Sequence, residues 1–508
     1  MRSLPNTQQR LIVLLFSGVF FIVFSFSVKP AWANTSQQQI FKIDLEQAIS
    51  LAFSSSYQLK LAEFNPEYAQ QDLELAKARH DAEFFSSYNE GDGKTSSELF
   101  SAPSASAQKS AASGLRGLLP TGTKWRLGVD ARSYESGEIL LPDASGYYSS
   151  LEIIQPLLKG AWLASAYSDV RLQQNNQKLA QLQFKDDMMS LVKDVVAAYV
   201  DMYAAQQGLN IAIENRDLAK QTLEQEQERH RLGKVAQSDL YRPDATYALR
   251  EDAVIRAEQL LRLQENSLKA LLFSDLDAVM GRVQVATLPA IIEVDVDTKA
   301  DFDQALALRP DFNIAQLQQQ NRQTELKRDQ RNRLPQLDLV MRYQQSSETA
   351  ERGLDQAYEA YRGEHEAGHY VGLNFSVPLT NKQGRAQARR SQLALRQAQL
   401  QIKQLEQRIL LTLDTAAYRL RQDWKRVEAA KRSVQLAQLT LNAEEEKMAV
   451  GRSNNFFVLD LQSRLAAARS QQVSADASYI KSYVEYLRQN GRILEYLENE
   501  PRSSGAGV

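Results

Sequence analysis

Lys124-Trp125-Arg126-Leu127-Gly128-Val129-Asp130-Ala131-Arg132 sets Trp125, Leu127, Val129 and Ala131 against Lys124, Arg126, Gly128, Asp130 and Arg132. Gln336 to Gln344 repeats the pattern, with Leu337, Leu339, Met341 and Tyr343 opposed to Gln336, Asp338, Val340, Arg342 and Gln344. His369 to Val377 does so again, with Val371, Leu373, Phe375 and Val377 opposed to Tyr370, Gly372, Asn374 and Ser376. Ser149 to Gln155 is less regular, because Leu151 and Ile153 face away from Ile154 as well as Glu152. A period of two predicts strands with one apolar and one polar face. Runs of about nine residues suit strands that cross a bilayer with lipid on one side and water on the other. A soluble antiparallel sheet with one wet face alternates identically, and alternation alone favours it. The surroundings of the runs favour the membrane barrel.

Those surroundings are very long helices and an export signal. Leu163 to Arg231 and Gly384 to Met448 read as uninterrupted helices, which at 1.5 Å per residue reach about 100 Å. Leu413, Leu420, Val427, Val434 and Leu441 recur at steps of seven, as do Leu395, Ile402, Ile409 and Ala416. Sustained heptads make helices supercoil about neighbours. At the N-terminus, Arg2 and Arg10 flank the apolar run Leu11 to Val28, and Ala31-Trp32-Ala33 is a small-x-small cleavage site. The run reads as a signal peptide, residues 1–33; an uncleaved anchor is the other reading. After Val28 no stretch approaches about 18 apolar residues.

The halves of the chain repeat. The first, residues 34–290, has a short helical opening (Leu45 to Phe53), a helix (Tyr57 to about Ala82), a strand pair over about 118–156, the long helix 163–231, a turn at Gly233 and a return helix over 236–272. The second, residues 291–500, has Phe302 to Leu308, Phe312 to Arg333, a strand pair over about 335–378, the long helix 384–448, a turn at Gly451 and a return helix over 454–487. Phe273 to Thr298 reads as a small connecting layer and 501–508 as a flexible tail. A repeat this long is a duplicated half-protein rather than a solenoid unit. The Ser-rich segment 86–113 is expected to be an extra loop or broken strand, and Pro243 to kink or restart its helix.

Closure forces an oligomer. Membrane strands leave no backbone group unpaired, and single-chain barrels begin at about eight strands. Four strands per chain are too few, so three copies are expected to make about twelve, with their helices continuing as an α-helical barrel.

Composition narrows the function. With 60 Lys+Arg against 62 Asp+Glu the chain lacks the basic surplus of a nucleic-acid binder. The absence of Cys excludes disulfides, thiolate metal sites, Cys nucleophiles and an acylated N-terminal Cys. His365-Glu366-Ala367-Gly368-His369 matches the H-E-x-x-H zinc protease pattern, whose chemistry needs both His on one helical face. Gly363 and Gly368 interrupt the segment, and on a strand residues four apart lie about 13 Å apart. A polar extracellular loop is the better reading. His80 and His230 sit on separate helices. No catalytic, metal or cofactor site is assigned; the chain reads as a non-enzyme.

The ordered set of elements, Gln155-Pro156-Leu157-Leu158, Val371 to Leu379 and the paired tips Arg231-Leu232-Gly233-Lys234-Val235 and Ala449-Val450-Gly451-Arg452-Ser453 resemble the TolC-type outer-membrane efflux protein family over about Ile43 to Leu497. The resemblance implies a homotrimeric channel-tunnel, a twelve-stranded barrel in the outer-membrane lipid of a Gram-negative bacterium continued by a periplasmic α-barrel. It also implies a periplasmic adaptor (membrane fusion protein) and an inner-membrane pump as partners. Leu232, Gly233, Lys234, Val450, Gly451 and Arg452 correspond to the family's adaptor-docking tips. Asp239 matches a family carboxylate in the links that hold the gate shut, and Asp460 matches an acidic position at the narrowest point of the pore. Phe457 stands where the family usually has a second acidic residue. Three copies of Asp460 would form an anionic ring and three of Phe457 an apolar one. The structural alternative for Asp239 and Asp460 is a solvated charge at a helix start. The rival function is a soluble periplasmic coiled-coil adaptor, which normally carries one helical hairpin rather than two interrupted by strand pairs.

Overall fold

The computed structural model describes residues 40–95, 104–136, 143–161, 166–453 and 455–495. The signal segment, the first residues of the long helix expected from Leu163, part of the Ser-rich segment and the tail lie outside them. Strand β1 (Ile40–Ile43) leads into α1 (Leu45–Ser55) and α2 (Tyr57–Ala78). Asp44 starts α1 with a capping box, its carboxylate accepting from the Gln47 N–H at 2.8 Å while Gln47 accepts from the Asp44 N–H at 3.2 Å. Strands β2 (Glu83–Thr95), β3 (Ser104–Leu118), β4 (Lys124–Ser136) and β5 (Ala144–Pro156) follow. Then come the 64-residue α3 (Ser168–Arg231), a 3-10 turn (Gln237–Leu240) and α4 (Tyr241–Leu272). Pro243 lies in the first turn of α4, where its missing N–H would have no partner inside the helix, so the helix restarts there without a kink.

Helix α5 (Leu276–Met280) and β6 (Arg282–Val285) connect the halves, and β6 pairs in parallel with β1. The second half runs α6 (Thr298–Leu308), α7 (Pro310–Asn332), β7 (Gln336–Thr349), α8 (Leu354–Gly363), β8 (Glu366–Ser376), the 68-residue α9 (Lys382–Ala449) and α10 (Asn455–Asn490). The heptad stripe of α9 faces inward: Leu413, Leu420, Val427 and Leu441 are buried, as are Ile409 and Ala416.

The expectation of four strands per chain is corrected. One six-stranded sheet runs in the order β2-β3-β4-β5-β7-β8, every neighbour antiparallel. The described part of the Ser-rich segment is neither loop nor broken strand. Its described residues form the β2–β3 hairpin, paired from Glu83↔Arg116 to Thr95↔Ser104, and β3 pairs as fully with β4. The hairpin escaped notice because Ala107, Ala111, Ser113 and Ala112 are too small to mark a face, and on β2 Phe84 is followed directly by Phe85, which breaks the alternation. The polar loop expected around His365 is corrected too: α8 precedes it, and Glu366 to His369 already belong to β8, so the two His share no helical face.

The register gathers the alternating residues as a two-faced wall. Phe84, Leu115, Leu127, Leu151 and Tyr343 stand side by side across five strands, with Trp125, Ile153, Met341 and Val371 in the next row. Phe84 is 69% exposed and Val371 68%, so these two rows stand open at their ends. Higher on the same face α8 packs against the sheet, Tyr361 hydrogen-bonding Ser149 at 2.7 Å and the ring of Tyr147 lying 4.7 Å from that of Tyr361.

Two buried clusters, one per repeat, hold the helices together where the short elements cross the long ones. The first joins α1, α3, α4, β1 and β6 with α10, and the second joins α6 and α7 with α9 and α10. Tyr483 of α10 packs against both. Buried phenols tie helix to connecting layer: Tyr199 donates to the Thr287 carbonyl at 3.0 Å and Tyr479 to the Ile292 carbonyl at 2.5 Å. Burial pushes the Tyr479 phenol up to about 12.

Glu265 and Lys269 of α4 are the enclosed charges of this layer. The Glu265 carboxylate takes Lys269 at 2.7 Å, Arg262 at 3.0 Å and the Val283 N–H at 3.0 Å, while Lys269 also donates to the Gly281 carbonyl at 2.5 Å. Burial pushes the Glu265 pKa up, but the bonds from Lys269, Val283 and Arg262 outweigh it and hold the group below its ordinary value. Its contribution to stability is therefore complete above the ordinary carboxylate range and fades as pH falls through the lowered native value. Glu265→Ala, which strands Lys269 in the interior, is expected to cost about 3–5 kcal/mol, and the double change Glu265→Leu with Lys269→Met much less. Denaturation of the purified full chain measures both; equal losses would show that the pair itself is not what holds this layer.

Candidate functional site

The face opposite the greasy one carries charge in register. Glu83, Arg116, Arg126, Glu152 and Arg342 occupy one row across β2, β3, β4, β5 and β7, and Tyr370 of β8 continues it. Alternation puts them there, because each lies one residue from a member of the apolar rows. Arg116 grips Glu83 with two bonds of 2.8 Å, Arg342 meets Glu152 at 2.5 Å and Arg126 meets Asp130 at 3.0 Å. The guanidinium groups of Arg116 and Arg126 also sit 5.5 and 4.9 Å from the centre of the Phe85 ring. Such a wall offers water and solutes a mixed, strongly polar lining, while its reverse offers none. Sequence reading assigned these residues to a polar face but not to one row, because row membership depends on strand register.

At the far ends of the long helices both turns are closed alike. Gly233 has φ +70° and Gly451 φ +74°. The Gly233 N–H bonds the His230 carbonyl at 2.8 Å and the Lys234 N–H that of Arg229 at 2.9 Å; Gly451 bonds Met448 at 3.0 Å and Arg452 bonds Lys447 at 2.8 Å. This is the Schellman pairing, which needs a left-handed residue at its centre. Each tip thereby presents an apolar residue before the Gly and a cation after it: Leu232 and Lys234, Val450 and Arg452, all exposed.

The second tip is braced from within. Glu444 accepts from Lys447 at 2.8 Å and from Ser453 at 2.5 Å, and the Lys447 bond is the main reason its carboxyl lies below the ordinary range. The Arg242 guanidinium at the start of α4 lies 4.5 Å over the Phe456 ring, and Arg250 donates to Ser463 at 2.9 Å, so the two tips of one chain stand side by side. Phe456 and Arg242 were missed in the sequence; only their places just after the two glycines pointed to them.

The expected gate residues occupy different local settings. The Asp239 carboxylate accepts from the Ala236 N–H at 3.1 Å, the helix-start role named as its structural alternative. Asp460 points off α10 toward Arg464 at 2.8 Å, and its side chain remains 46% exposed. Phe457 is 51% exposed and meets Phe456 edge-on at 5.5 Å. Asp239 and Asp460 are each bonded within their own segment, one to Ala236 and the other to Arg464.

Comparisons with known proteins agree with this architecture. Residues 302–488 match the model of the outer membrane efflux protein family. No curated protein matches the chain. Among solved structures, the CmeC outer membrane channel of Campylobacter jejuni aligns with a TM-score of 0.67 at 16% identity, covering 88% of this chain and 86% of that one. The outer membrane protein VceC of Vibrio cholerae aligns with a TM-score of 0.65 at 14% identity, covering 88% and 96%. The MtrE outer membrane channel of Neisseria gonorrhoeae, in its open state, aligns with a TM-score of 0.63 at 14% identity, covering 88% and 89%. Identities this low speak for the fold, which here extends across both repeats and not only the matched one. The second repeat thus carries the match to the outer membrane efflux protein family, and the fold across both repeats is the one shared by these outer-membrane channels.

Proposed function

We propose that the protein is the passive outer-membrane conduit of a tripartite efflux or type I secretion system. The observation that carries this reading is the two-faced wall. A polar row containing Glu83, Arg116, Arg126, Glu152 and Arg342 backs directly onto an exposed apolar row containing Phe84, Leu115, Leu127, Leu151 and Tyr343. Only a medium that is apolar on one side and aqueous on the other suits both rows. Among the described residues no helix is long and apolar enough to cross a membrane, so within them the sheet is the element suited to spanning. Helices about 100 Å long then carry the conduit through the periplasm of a Gram-negative cell.

Three copies enclose the pore, and the tips are its working end. Leu232, Gly233, Lys234, Val450, Gly451 and Arg452 present matched surfaces to the helical tip of a periplasmic adaptor, which an inner-membrane pump energises. The inner charge of Asp460 and the ring of Phe457 narrow the closed pore, Asp460 by attracting cations and Phe457 by excluding water. Asp239 keeps the first tip in its closed shape through the Ala236 bond. Selection of cargo rests with the pump.

Two outcomes test the tips. Charge reversal by Lys234→Glu with Arg452→Glu should abolish export while the oligomer purifies intact; unchanged export would remove the docking role. Asp460→Asn should bring the cation-over-anion permeability in a planar bilayer down toward unity, since an anionic ring is what favours cations. A permeability ratio identical to that of the unaltered channel would place Asp460 away from the constriction.

A further inference from the structure

We propose that the β2–β3 hairpin is a full part of the barrel wall, so that β2 of one copy pairs with β8 of the next and three copies close a barrel of eighteen strands. The count is three times the six-stranded sheet of one chain, and it rests on the trimeric conduit proposed above. The partner for this edge is a second copy of the same chain.

Strand length places the hairpin in the membrane. β2 has 13 residues and β3 has 15, against 13, 13 and 14 for β4, β5 and β7. A bilayer needs about 9–11. The faces agree as well: Phe84 and Leu115 extend the apolar row, and Glu83 and Arg116 extend the charged one. A flap lying in the lumen or above the membrane would need neither the length nor the sidedness.

The unpaired edges point to each other. β3 is bonded on both sides, to β2 and to β4, along its length. β2 and β8 end the sheet order and are bonded on one side only. Nearly every described position of both is exposed, including Tyr88, Tyr370, Leu373 and Phe375. An apolar medium does not tolerate such a bare edge. β2 leaves the helical end of the molecule and β8 returns to it, so the two edges meet antiparallel, as every other pair in the sheet does. The alternative, a twelve-stranded barrel in which β4 meets the next copy's β8, would break the whole β3–β4 ladder from Ser106↔Ser136 to Leu118↔Lys124. Barrel diameter grows roughly linearly with strand number, and barrels of about 16–18 strands leave an aqueous channel, so the hairpin widens the outer mouth by about half relative to twelve strands.

The chain has no Cys, so introduced thiols report without background. Ser86→Cys on β2 is combined in turn with Ala367→Cys, His369→Cys and Val371→Cys on β8, residues of the same face. A parallel set pairs Val129→Cys on β4 with the same three. Oxidation of full-length protein in outer-membrane vesicles should yield covalent dimers and trimers for one register of the β2 set and none for the β4 set. Subunit links through β4, or an intact trimer with no link in either set, would overturn the hairpin proposal alone. A protein that is not trimeric by mass would overturn the conduit reading with it. Counting strands in the density of the unaltered trimer decides the matter without any substitution: eighteen supports the proposal and twelve ends it.

Discussion

A strand in lipid has no water with which to satisfy its N–H and C=O groups, and this requirement shapes the rest of the molecule. Each chain brings a sheet with two open edges, β2 and β8. Alone it is an unfinished object. In the proposed conduit the greasy face meets the bilayer and the charged face meets water, but the edges call for another chain. Oligomerisation is therefore a consequence of backbone chemistry before any side chain is considered.

The helical body meets a different problem, that of keeping helices of 64 and 68 residues straight and supported. The shorter helices do this by stacking against them, and the buried stripe Leu413, Leu420, Val427 supplies the seam. Duplication lets one solution serve twice. Arg79, just after α2, and Arg328, in the last turns of α7, both reach Asp169 near the start of α3, at 2.6 and 3.4 Å. Gly233 and Gly451 close the two tips with the same pair of hydrogen bonds. Where the repeats differ, as in the β2–β3 hairpin and in α8, the difference lies at the sheet end and leaves the helical frame unchanged.

The candidate site is spread along the length of the chain in the same way. Its outer part is a wall whose rows are made by register, and its inner part is a pair of turns whose shape is made by glycine. The Glu444 bonds to Lys447 and Ser453 and the Arg242–Phe456 contact stiffen the turn region. A stiff tip with an exposed apolar residue and an exposed cation is suited to meeting a partner without first being ordered by it.

Much of this was legible from residues alone, where the signal was local. The period of two in Lys124 to Arg132, the heptads of Leu413 to Leu441 and the glycines at 233 and 451 each express a constraint that a short segment feels directly. The β2–β3 hairpin was not legible, because Ala and Ser satisfy a pleated surface without marking its faces, and pairing with β4 is what makes them strands. The charged row was not legible either, since Glu83 and Arg342 lie far apart along the chain and share a row only through four intervening ladders. By itself, then, the sequence determined which stretches are helical, which alternate and where the chain turns, since these depend on neighbours a few residues away. Tertiary structure alone decided the number of strands, their order and the residues that face one another across the wall, because hydrogen bonds between distant segments set the register.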